Sequence, residues 1–274
     1  MRRSEPRHAS VFTMPLHSKV PEITLSFWII KILTTAMGEA ASDYLVFHWN
    51  PVLAVLLSAG AFCLAVVLQL RQTRYVAWIY WLLVALVAVV GTMAADILHV
   101  VIGVPYLFAT LGFAVVLGAV FLLWQRSEGT LSIHHITTRR REIFYWLTVC
   151  ATFALGTAAG DMTAATLGLG FFISGLLFLG LFLAPAIGYR AFGLNGVFAF
   201  WFSYIMTRPL GASFADWAGK PAQMGGEALG SGTVAIALIL LILGFVAFLG
   251  ATRRDVEPEG EEAPVGVAGS GNRS

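Results

Sequence analysis

Charge is what this sequence has least of. Asp, Glu, Lys and Arg make up 12% of its 274 residues against 58% hydrophobic ones, a balance that leaves a water-soluble chain short of polar surface. The chain therefore belongs in lipid. Its formal net charge of +2 is spread through short segments and gathers on no face, so nucleic-acid binding is discounted. Cysteine is nearly missing too. Cys63 and Cys150 fall in apolar stretches with no spacing for a disulfide framework or thiolate cluster, and read as small buried hydrophobes. No phosphate-binding loop, haem-attachment motif or nucleophile elbow occurs, which argues against an ATP-driven pump within this chain. The first twenty residues hold Arg2, Arg3, Arg7 and Lys19 but no apolar core ahead of a cleavage site, so no removable signal peptide is expected.

What the sequence does have is long apolar runs. A hydrocarbon core of about 30 Å takes about 20 apolar residues per helix. Eight such runs are expected to be helices near 23–46, 51–70, 76–102, 105–124, 143–164, 167–187, 194–217 and 229–250. Pro51, Pro105 and the Gly-rich 219–232 segment mark turns, and Pro185 is placed near the end of the sixth helix, where proline is tolerable. Residues 1–22 read as a cytoplasmic N-terminal segment, 23–250 as the membrane domain and 251–274 as a disordered cytoplasmic tail. Arg71, Arg74, Arg126, Arg139, Arg140, Arg141, Arg190, Arg253 and Arg254 share one side with the basic N-terminus, whereas the other side has only Lys220. The positive-inside rule then puts both termini in the cytoplasm of a bacterial inner (cytoplasmic) membrane.

The chain also repeats itself. Trp28, Trp81, Trp146 and Trp201 are each followed ten residues later by Gly38, Gly91, Gly156 and Gly211, and five residues further by Asp43, Asp96, Asp161 and Asp216. Of the five aspartates in the whole sequence, four fall on this register and Asp255 lies in the tail. The expected fold is an all-α polytopic membrane protein of eight transmembrane helices, arranged as four parallel two-helix repeats near 23–75, 76–142, 143–193 and 194–250, pseudo-fourfold or two-by-two. Odd helices line the centre and the nearly pure hydrocarbon even helices face lipid.

This pattern resembles a bacterial integral membrane protein family of four tandem repeats of unknown function, each repeat having two transmembrane segments and a tryptophan. The resemblance covers roughly residues 23–250 and rests on the fourfold W-x9-G-x4-D. It implies eight spans and no established chemistry.

Each repeat element carries a physical expectation. The tryptophans read as interfacial anchors on the cytoplasmic side, and the glycines as small faces for close helix packing. The aspartates lie fifteen residues beyond the tryptophans, roughly 22 Å along the axis and in the outer half of the membrane. One turn before each aspartate, on the same face, stand Glu39, Thr92, Thr157 and Ala212, and His99 follows Asp96 by three. A ring of Asp43, Asp96, Asp161 and Asp216, with Glu39, Thr92 and Thr157 beneath and His99 beside, would bind cations, with an oxygen-preferring divalent ion such as Mn²⁺ or Mg²⁺ as a possible ligand. Against the spans' five acids stand two bases, Lys31 and Arg208. Lys31 either snorkels or pairs in the interior, and Arg208 is expected to form a salt bridge with Glu39 or an aspartate in a helix broken or kinked by Pro209. Intramembrane carboxylates mark ion or proton pathways, so the expected function is a transporter or channel for a cation, a divalent metal or protons. The alternatives are a proton-coupled exporter of a small organic molecule and a non-transporting structural protein. An enzyme is not expected, because the G-x-G-D pattern of an intramembrane aspartyl protease is missing around Asp161. Partners are the bilayer and the transported cation, and the oligomeric state is left open.

Overall fold

Why the chain forms these helices is visible at their ends. The computed structural model describes residues 18–134 and 136–256. Thr24, Asn50, Thr138 and Asn195 each accept a hydrogen bond from a backbone N–H in the following turn, opening α1 (Leu25–His48), α2 (Pro51–Arg71), α5 (Arg139–Asp161) and α7 (Gly196–Gly219). Pro51 sits at the first turn of α2, where its missing N–H costs nothing. Gly129 and Gly193, in left-handed backbone with φ of 72° and 66°, close α4 (Tyr106–Glu128) and α6 (Gly170–Phe192). The set is completed by α3 (Ala77–Asp96) and α8 (Ser231–Thr252). After Asp96 and Asp161 the backbone widens into π-turns, Ile97–Val101 and Met162–Thr166.

Among the described residues six helices, α2 to α6 and α8, are long and apolar enough to cross a membrane. α1 and α7 carry Lys31, Glu39 and Asp43, and Arg208 and Asp216, which lowers their apolar character. Pro185 lies inside α6, seven residues short of its end, and α7 runs continuously through Pro209, so neither proline ends its helix.

The odd helices pack in a closed cycle, α1 on α3, α3 on α5, α5 on α7 and α7 back on α1. The glycines make this possible, and each faces the next odd helix. A Cβ at Gly38 would overlap Ala88, at Gly91 it would stand 2.9 Å from the Cβ of Phe153, at Gly156 2.6 Å from that of Arg208, and at Gly211 it would overlap Thr35. In every case the neighbour sits three residues before the next repeat's glycine, so one contact recurs four times and closes on itself. The even helices lie outside, with α2 mainly on α3, α4 on α5, α6 on α7 and α8 on α1. Their flanks expose residues such as Leu56, Val115, Ile187 and Leu240.

At the end where odd helices begin, buried Glu142 accepts from Lys19 Nζ at 2.7 Å and from Gln69 Nε2 at 3.0 Å, tying residues 18–24 to α2 and α5. Asp255, expected in a solvated tail, is 2% exposed. Its carboxylate accepts from the Tyr75 hydroxyl at 2.5 Å and its carbonyl from Glu22 N at 3.0 Å. The tail expectation otherwise falls on 257–274, outside the described residues. Cys63 is exposed on α2, unlike the buried position expected, and Cys150 is half-buried.

Candidate functional site

From each odd helix a stripe at four-residue spacing runs along the bundle axis. It reads Phe27, Lys31, Thr35, Glu39, Asp43 in α1; Tyr80, Val84, Ala88, Thr92, Asp96 in α3; Tyr145, Val149, Phe153, Thr157, Asp161 in α5; and Phe200, Tyr204, Arg208, Ala212, Asp216 in α7. Every residue before the aspartates is buried. Spacing of four keeps side chains on one ridge of the helix surface, so four ridges meet and stack into layers.

The first layer is aromatic. Phe27, Tyr80, Tyr145 and Phe200 precede the four tryptophans, and Tyr80 and Tyr145 join their hydroxyls at 2.5 Å. Three of the tryptophans belong to this plug and not to the lipid interface: Trp81, Trp146 and Trp201 are 1%, 6% and 4% exposed, and Trp28 is half-buried. Trp201 donates its Nε1 to the Leu131 carbonyl at 2.9 Å. The aromatic residue before each tryptophan was the available sequence signal for this plug.

Above the plug lies Lys31, completely buried. Its ammonium reaches neither snorkelling exposure nor a carboxylate. It rests 4.0 Å from the ring centre of Phe153 and 4.3 Å from that of Tyr204, with no hydrogen-bond partner among the described residues. Next comes Arg208, whose guanidinium joins three neighbouring helices. Nη2 donates to Glu39 at 2.6 Å and to the Thr92 hydroxyl, Nη1 donates to the Thr35 carbonyl at 3.2 Å, and the Phe153 ring lies 5.8 Å from Cζ. The expected pairing with Glu39 is therefore present, and Thr92 also donates to Glu39 at 3.4 Å. Thr92 also donates to the Ala88 carbonyl of its own helix at 3.0 Å, as Thr157 does to the Phe153 carbonyl at 3.0 Å. Ala212, the fourth residue of this level, is buried and has no polar group.

The aspartates form the last layer, around a residue from outside the repeat register. Lys220 Nζ stands 3.5 Å from Asp43 and 3.3 Å from Asp216, and its charge also acts on Asp96 and Asp161. Burial alone would push the Lys220 ammonium down. Asp216, Asp43, Glu39 and Asp161 outweigh that and hold its pKa above the usual lysine value. The Gly-rich loop after Lys220 folds back onto α7, with Glu227, Leu229 and Gly230 donating backbone N–H groups to Trp217, Ala218 and Gly219. That return satisfies the carbonyls left open at the helix end and fixes the lysine over the acids. Asp43 and Asp216 are buried. Asp96 and Asp161 are half-buried and have no ion pair among the described residues.

The sequence predicts a divalent cation on the four aspartates, Glu39 and His99. Among the described residues no three His, Cys, Asp or Glu groups are placed to hold one metal ion. Arg208 occupies the Glu39 carboxylate, and Lys220 fills the position between Asp43 and Asp216. His99 engages Nδ1 with the Val104 carbonyl at 2.8 Å and stacks on Tyr106 with ring centres 3.6 Å apart.

The family described as Repeat of Unknown Function (DUF347) matches the chain four times, at residues 26–75, 79–130, 144–192 and 199–255. The chain belongs to this repeat family. No curated protein and no solved structure matches it.

Proposed function

We propose that the protein is a transporter for a cation, spanning the bacterial inner membrane eight times with both termini cytoplasmic, and that the four aspartates form its outward-facing binding vestibule. The single observation that carries this reading is that Lys220 holds its ammonium 3.5 Å from Asp43 and 3.3 Å from Asp216, the acids of the first and last repeats, at the level that the repeat register also gives Asp96 and Asp161. A lysine held among carboxylates is a tethered stand-in for a free cation, and a cation arriving from outside would take its place. Four carboxylates against the single Lys220 ammonium leave a negative excess that must be neutralised by protons, water or cations, which is why such clusters mark ion paths in membranes. In this reading α1 and α7 cross the bilayer inside the pseudo-fourfold ring, their charges shielded from lipid by the other six helices.

The chemistry of the site favours protons or an ammonium-type cation over a divalent metal. A hard metal ion needs several oxygens free to converge, whereas Glu39 is engaged by Arg208 and the Lys220 charge competes at Asp43 and Asp216. A small organic cation, with protonation of Asp96 and Asp161 as the coupling step, is the second reading, and the same ammonium position supports it. Below the acids, the Arg208 to Glu39 bridge, Lys31 and the aromatic plug close the axis toward the cytoplasm, so transport requires these layers to rearrange.

Purified protein in liposomes with an internal pH dye tests the proposal. An imposed gradient of protons, of ethylammonium or of Mn²⁺ should give dye-reported flux with one of the first two. Asp96→Asn/Asp161→Asn should lower the rate at least about tenfold, equivalent to about 1.4 kcal/mol of barrier. Flux unchanged by this double substitution, or flux of none of the three cations, would overturn it.

A further inference from the structure

A second site lies at the basic end of the molecule, away from the aspartates. A groove of about 570 Å³ runs between the start of α3 and the end of α8. Its apolar wall includes Trp78, Leu243 and Val246, and its polar rim holds Arg74, Arg253, Glu22 and Asp255. α8 is long and apolar enough to cross a membrane and ends at Thr252, so this rim stands where lipid headgroups lie. Trp78 is 58% exposed at the same level, the position that an interfacial tryptophan takes.

The rim carries two positive and two negative side chains. Arg74 and Arg253 are exposed and free to meet a phosphate, whereas Asp255 is buried at the groove, with Oδ2 bonded to Tyr75 and Oδ1 lacking any hydrogen-bond partner among the described residues. A buried carboxylate oxygen without a donor is costly, and a donor supplied by a ligand would remove that cost. A ligand that offers an anionic phosphate, an N–H donor with positive charge and two acyl chains matches all of these features.

We infer that this groove binds a phospholipid with a primary ammonium headgroup, phosphatidylethanolamine, its phosphate on Arg74 and Arg253, its ammonium on Asp255 and Glu22, and its acyl chains along α8. Phosphatidylcholine lacks the N–H donor, and phosphatidylglycerol lacks the positive charge. The inference depends on the membrane placement of α8 and not on any transport activity.

Native mass spectrometry of the full chain released from detergent tests it, with equal additions of the three lipids carrying identical acyl chains. Phosphatidylethanolamine should be retained at least about fivefold more than either of the others, equivalent to about 1 kcal/mol. Arg74→Gln/Arg253→Gln changes only exposed side chains, so the thermal midpoint should hold while that retention falls to the level of phosphatidylcholine. Glu22→Gln should lower the preference over phosphatidylglycerol. Equal retention of the three lipids, preference for phosphatidylglycerol, unchanged binding by the double variant, or a protein dimer in place of the lipid adduct would each overturn the proposal.

Discussion

Repeats 1 and 4 are locked by charge, whereas repeats 2 and 3 are open. Asp43 and Asp216 share Lys220, and Glu39 shares Arg208, so the acids of α1 and α7 have fixed partners. Asp96 and Asp161 have none among the described residues, are half-buried, and stand where the helix gives way to a π-turn. A π-turn loosens the i to i−4 ladder and is a frequent mark of function. One scaffold, closed four times by the same glycine contact, thus carries one pair of repeats whose acids are paired and one pair whose acids are not, and under the proposed function the unpaired acids are where protons or cations would exchange.

The largest effect should come from breaking the locked half. Arg208→Met leaves Glu39 buried without its cation and should lower stability by about 3–5 kcal/mol, read as a fall in the thermal midpoint in detergent. Removing both charges with Glu39→Met/Arg208→Met should cost less than either single change. If the double variant is as unstable as Arg208→Met, the bridge is not what ties α7 to α1 and α3.

A smaller effect of opposite sign is expected one layer below. Lys31 is fully buried with two aromatic rings but no hydrogen-bond acceptor among the described residues, and methionine keeps most of its volume. Lys31→Met should stabilise the protein by about 1–3 kcal/mol while slowing transport. A loss of stability would show that the ammonium contributes to the packing, and unchanged transport would remove Lys31 from the path.

Much of this was legible in the sequence because the repeat is a register. The glycine and aspartate positions follow from counting, and the few charges in otherwise apolar helices leave Glu39 or an aspartate as the partner of Arg208, a choice that the structure settles as Glu39. The cyclic packing was open to inference from the glycines, since a small residue at equivalent depth in four helices implies four equivalent contacts. The tryptophans misled because an interfacial position and a buried one near a helix start give the same spacing; the Phe or Tyr before each one separates the two. The interfacial pattern belongs instead to Trp78, outside the register. Lys220 was legible only as the lone base of its side. Its place over the acids depends on a Gly-rich loop folding back onto α7, a tertiary event that no local pattern encodes. His99 shares a face with Asp96 on an ideal helix, but in the π-turn its Nδ1 is taken by the Val104 carbonyl.

The most direct measurement is the accessibility of the four aspartate positions from outside. Asp43→Cys, Asp96→Cys, Asp161→Cys and Asp216→Cys would be made singly in a chain with Cys63 and Cys150 replaced by alanine, and exposed on intact cells to a membrane-impermeant thiol reagent. The account predicts that positions 96 and 161 react at least about tenfold faster than 43 and 216, that an ammonium-type cation slows them, and that adding Lys220→Met narrows the difference. Equal labelling of all four positions, or labelling only from the cytoplasmic side, would contradict an outward vestibule with one locked half and one open half.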